Sequence, residues 1–147
     1  YAQSLAMLRS GLDTPQTTNP YFLYRIRFNI PDANCPGTNQ YAIVNDADNN
    51  GTWGENPNSS SQIESARIPS TGAPYFCVQM DSGDYAGFTV SADFGGSTPG
   101  ALSFDSTGAP LDSDGAQLST TKTITVSMGG EAALITVTPK TGFTATQ

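Results

Sequence analysis

Histidine is missing from this chain of 147 residues. Imidazole general bases go with it, and so do the usual Ser-His-Asp and Cys-His nucleophile arrangements. Basic side chains are scarce: 6 Lys and Arg stand against 13 Asp and Glu, a formal charge of -7. An acidic surface repels phosphate backbones, so nucleic acid is not an expected partner. Apolar content is low, at 37%, and no run approaches the roughly eighteen apolar residues of a membrane-spanning helix. Nucleophile-elbow, P-loop and dinucleotide-binding glycine signatures are also absent. These gaps together point away from an enzyme. Two aspartate pairs, Asp81 with Asp84 and Asp112 with Asp114, lie in Gly/Ser-rich turns and read as solvated loop charges rather than hydrolase acids.

Only two cysteines occur, Cys35 and Cys77. They are either one disulfide of an exported protein or two buried thiols. Cys35 falls in a polar Cys-Pro-Gly loop, where a free thiol would be exposed, and this favours the bond.

What is plentiful is alternation. Ile124, Val126 and Met128 alternate with Thr123, Thr125 and Ser127, and a second run follows through Ile135 and Val137. A period of two in β-branched residues predicts strands with one buried face. Met128-Gly129-Gly130-Glu131 supplies the turn of an antiparallel hairpin. Residues 21–30 repeat the pattern, with Tyr24, Ile26 and Phe28 on an apolar face and Arg25 and Arg27 on the other. Shorter strands are predicted over 41–44, 74–80, 86–94 and 101–104. Residues 1–12 place Tyr1, Leu5, Leu8 and Leu12 at helical spacing, predicting a short amphipathic helix. The expected class is α+β: the helix lays Leu5 and Leu8 against antiparallel sheet, in one domain spanning 1–147 with a β-rich head from 21 onward.

One segment has ligand spacing. Asp46, Asp48 and Asn50 stand at positions 1, 3 and 5 of a calcium-type loop, Gly51 at 6 and the Thr52 carbonyl at 7. Position 12 is Pro57 where an EF-hand has Glu, so the candidate is a non-EF calcium site on Asp46, Asp48, Asn50 and Thr52; otherwise these residues simply make successive turns. Trp53, in the same polar loop, either pins the loop or is a contact residue, and pinning is favoured. Asn50-Gly51-Thr52 and Asn58-Ser59-Ser60 also satisfy a glycosylation pattern, relevant only in a eukaryotic secretory setting.

The order of these features resembles a family. Residues 41–51, YAIVNDADNNG, resemble a strand followed by a D-x-N/D-x-D/N-G loop. Residues 102–110, LSFDSTGAP, resemble an F-D-x-x-G-x-P stretch, and residues 135–143, ITVTPKTGF, a closing strand with its glycine. In that sequence the chain resembles the minor pilins and pseudopilins of the GspH/FimT type, including relatives from the mannose-sensitive haemagglutinin pilus. The resemblance implies a pilin-like head and a structural subunit of a type IV pilus or type II secretion filament in a Gram-negative bacterium. It implies export, and an inner-membrane anchor through a hydrophobic helix of which residues 1–12 are the end. It also implies other pilin or pseudopilin subunits as partners. The DNA-binding members carry a basic C-terminal tail; here residues 141–147 hold no arginine. Arg25 and Arg27, read as projecting from an exposed face, are the candidate subunit contacts. The alternative function is a secreted carbohydrate-binding or adhesion module, calcium-assisted through Asp46, Asp48 and Asn50, with Trp53 or Tyr85 stacking on a sugar.

Overall fold

A computed structural model of the chain describes residues 1–9, 24–48, 50–56, 63–142 and 144–146. Among these residues one α-helix, α1 (Ala2–Arg9), is followed by nine strands, β1 (Tyr24–Phe28), β2 (Gln40–Val44), β3 (Cys77–Gln79), β4 (Phe88–Ala92), β5 (Ala101–Phe104), β6 (Pro110–Leu111), β7 (Lys122–Met128), β8 (Glu131–Val137) and β9 (Thr144–Thr146), with a single 3-10 turn, Gly83–Tyr85, between β3 and β4. They form two antiparallel sheets, one ordered β3-β2-β1-β5-β6 and the other β4-β7-β8-β9.

The α+β expectation is therefore corrected. The described residues are mostly β, and the layer facing the first sheet is a second sheet rather than a helix. α1 has eight residues. Among its described side chains only Ala2 and Ala6 are buried, and Leu5 is half-buried. The anticipated Leu8 contact lies outside the described side chains. The reason is physical: an alternating strand requires an apolar cover without specifying which element provides it. Here Phe88, Val90, Ile124, Val126 and Ile135 supply that cover from β4, β7 and β8.

Alternation places each residue of the first sheet on the expected face. Ile26 faces the second sheet between Ile43 on β2 and Leu102 on β5, while Phe28 pairs with Tyr41. These belong to one core cluster with Phe94, Leu118 and Val137. Fully burying a side chain of this kind contributes about 1.5–3 kcal/mol. The terminal hairpin forms in the expected register, Ile124 with Ile135 and Met128 with Glu131. Gly129 and Gly130 close it at φ of 61° and 94°, the left-handed pair that a two-residue hairpin turn requires.

The opposite face of the first sheet carries a smaller cluster of Cys35, Ala42 and Val44, with Trp53 and Cys77 against it. A disulfide joins Cys35 to Cys77 and ties the loop after β1 onto β3. The bond marks an exported, oxidising setting. No helix among the described residues is long and apolar enough to cross a membrane.

The two sheets are also stapled through side-chain amides. Asn39 donates to the Phe88 carbonyl and accepts from the Val90 amide, and Asn29 donates to the Val90 carbonyl. Asn29 reaches this position with φ of 57°, a left-handed conformation that Asn tolerates better than most residues. It also ends β1.

Candidate functional site

The loop after β2 folds back on the disulfide-bearing face. Backbone bonds run from the Gly54 amide to the Asn45 carbonyl, from the Asn45 amide to the Glu64 carbonyl and from the Ala66 amide to the Ile43 carbonyl. They bring Glu64, fully buried, under the start of the loop. Asp46, Asp48 and Glu64 then offer carboxylate oxygens within 4.8 Å of one another. Two oxygens on opposite sides of a calcium ion, each about 2.4 Å from it, are separated by about that distance, so the set fits one such ion.

Of the four predicted ligands, Asp46 and Asp48 converge. The Asn50 side chain is engaged within the loop, donating to Glu55 Oε2 and accepting from the Thr52 amide. Thr52 is exposed. Glu64 had no local signal, being an isolated acid after the polar stretch. Only the ladder across Val44 and Ser65 carries it to the site. Asp46 accepts from the Asn50 and Gly51 amides. Its carboxyl is nevertheless held above the ordinary range, first by burial and then by the neighbouring Glu64 and Asp48 charges, which outweigh those bonds. Glu64 Oε1 accepts from the Ala47 and Asp48 amides. Three acids with backbone donors behind them can compensate a hard cation in front.

Arg25 and Arg27 do not project into solvent, which corrects their reading as exposed. Arg27 is buried, ion-paired with Asp32, and donates to the Trp53 carbonyl. Burial first, then the nearby Arg25 charge, lowers its pKa to about 10. Arg25 donates to Ser103 Oγ and the Ser113 carbonyl, and its guanidinium carbon sits 3.8 Å from the centre of the Trp53 ring. Trp53 thus pins the loop, and one of its faces is already covered by a cation. Asp112 and Asp114 serve turns: Asp112 Oδ1 accepts from the Asp114 and Ala116 amides, and Asp114 binds the Ser97 hydroxyl and amide. The second glycosylation pattern lies outside the described residues.

A different convergence sits at α1. Gln3 Nε2 donates to the Gly108 carbonyl and to the Thr141 carbonyl, each at 2.8 Å. Both acceptors lie on connections, one after β5 and one after β8. Both connections are closely approached by α1. A Cβ on Gly108 would lie 2.7 Å from Met7 Sδ, and one on Gly142 would lie 2.8 Å from Gln3 Nε2 and 3.0 Å from the Gly108 carbonyl oxygen. Asp105 shapes the first connection by accepting from the Thr107 and Ala109 amides.

Comparison with protein-family models, curated proteins and solved structures finds no match. The functional reading therefore rests on the residues and their arrangement.

Proposed function

We propose that this chain is the head of a structural subunit of a type IV pilus or type II secretion filament, acting in assembly, capping or contact with cargo or a surface. One observation carries the reading. The helix end, the F-D-x-x-G-x-P stretch and the closing strand's glycine, which bear the resemblance, meet at Gln3. A filament subunit must transmit load between its helix and its head. A helix clamped to two separate connections by a single amide, with glycines permitting close approach, is a stiff joint of that kind. The proposal does not need a helix laid across a sheet. It is tested by deleting the gene in the source bacterium and restoring it with wild type or with Gln3→Ala. Loss of surface filaments or of type II secretion on deletion, and incomplete rescue by Gln3→Ala at equal protein level, is expected. A deletion strain with normal filaments and normal secretion overturns the reading.

The convergence of Glu64 on Asp46 and Asp48 favours a second, compatible reading, in which the outer loop holds calcium. It supports the calcium half of an adhesion module. The sugar-stacking half is weakened at Trp53, whose ring is engaged by Arg25. Heat stability with calcium and with chelator tests it: no difference between the two, or an equal difference in Glu64→Gln, excludes a site at these acids.

A further inference from the structure

Cover over the inner face of the second sheet falls away towards its hairpin tip. Along β8, Val137 is buried, Ile135 half-buried and Ala133 exposed; along β7, Ile124 is buried, Val126 half-buried and Met128 exposed. These residues share a face, since Ile124 pairs with Ile135 and Val126 with Ala133. Exposure rising along both strands describes a wedge that is closed near Val137 and open towards the hairpin tip. Its opposite wall is Ile26, Tyr41 and Val78 of the first sheet, and Tyr85, half-exposed, stands at the rim. The space is about 380 Å³. Protein interiors hold few voids larger than a water molecule, and this one equals the share of about a dozen waters at ~30 Å³ each. The Asn29 and Asn39 amides fix the sheet spacing along β4, so the walls do not collapse into it.

We propose that the wedge binds a neutral aliphatic molecule: a single alkyl or acyl chain with an uncharged polar head. The size falls within the range of small-ligand sites, roughly 300–1,000 Å³. The walls are sheet faces whose backbone groups pair within their own sheets, so a peptide entering between them would bury its amides without partners. An alkyl chain has no such groups. No charged side chain lines the space, so an anionic head would find no cation there. The Tyr41 and Tyr85 hydroxyls, neither hydrogen-bonded to another described residue, can meet a hydroxyl, ether or ester oxygen. This inference is independent of the filament reading.

The experiment is calorimetric titration with 1-decanol and, as the matched anion, decanoate. Saturable one-to-one binding of decanol is expected, with decanoate at least about tenfold weaker. Val126→Phe and Ile135→Phe, which fill the wedge from β7 and β8, should each weaken decanol at least about tenfold while melting no lower than wild type. Methyl chemical shifts provide a readout free of substitution: Ile26, Ile43, Ile124 and Ile135 should move with decanol and Ile68 should not. Co-sedimentation with phosphatidylcholine vesicles, competed by decanol, would identify a membrane lipid chain as the source; decanol binding without vesicle retention would identify a free molecule. Absence of saturable decanol binding, shifts that spare the four isoleucines, or decanoate binding as tightly as decanol overturns the proposal.

Discussion

Gly142→Ala is the sharpest probe of the joint at Gln3. The residue sits at φ of 61°, and placing a Cβ in that left-handed region costs about 1–2 kcal/mol. The new methyl would lie 3.0 Å from the Gly108 carbonyl oxygen and 3.1 Å from the Phe104 ring, so it cannot be absorbed by one flexible side chain. Gln3 Nε2, at 2.8 Å, must give way, and its two bonds contribute about 0.5–1.5 kcal/mol each. The expected loss is about 2–5 kcal/mol, or a melting point lowered by roughly 4–20 °C for a domain of this size. The informative form is a double-mutant cycle followed by circular dichroism. Once Gln3→Ala has removed the amide, Gly142→Ala should cost about 1–3 kcal/mol less than in wild type. If the two losses add within about 0.5 kcal/mol, Gln3 and Gly142 are not coupled, and the joint as described does not exist.

Four further outcomes are expected. Reducing the Cys35–Cys77 bond, whose cysteines are 42 residues apart, should cost about 4 kcal/mol by loop-closure entropy, read as the difference between melts with and without a phosphine reductant. Arg27→Ala leaves Asp32 without its cation and should cost about 3 kcal/mol; a loss below about 1 kcal/mol would show that the pair is unimportant. If calcium binds with a millimolar constant, as in extracellular modules, 10 mM calcium should add about 1.4 kcal/mol, visible as a higher melting point that chelator reverses. Acidity should report on Asp46: its raised folded pKa means the protonated form is favoured by folding, so without calcium its contribution improves as pH falls through that value. Asp46→Asn should remove this gain, and a wild-type profile indistinguishable from that of the variant would refute it.

The local elements were legible wherever a periodic pattern was long. The alternation across Tyr24–Phe28 and the Gly129-Gly130 turn follow from the pleat and from backbone sterics, and both are present. β6 and β9 were missed: two or three residues do not define a period. The assignment of β4 to a different sheet from its predecessor was not legible either. Alternation in Phe88, Val90 and Ala92 shows that a face is buried without naming the partner, and the pairing with β7 is a long-range fact. Arg25 and Arg27 misled because a charged outer face normally indicates solvent. Here a disulfide-tied loop covers it, with Asp32 paired to Arg27 and Ser103 and the Trp53 ring against Arg25. At the candidate calcium site the loop was readable from Asp46 and Asp48, whereas Glu64 came from topology alone.

The amides of Asn29 and Asn39 have a bearing on life at high local concentration. A bare sheet margin invites strands from other chains and can seed runaway stacking. On β4 the outward carbonyls of Phe88 and Val90 and the Val90 amide are already bonded by side chains of the same molecule. Crowded copies therefore find the centre of that border already occupied, which disfavours backbone-mediated growth there. Two asparagines thus occupy edge groups that a strand from another molecule would otherwise pair with.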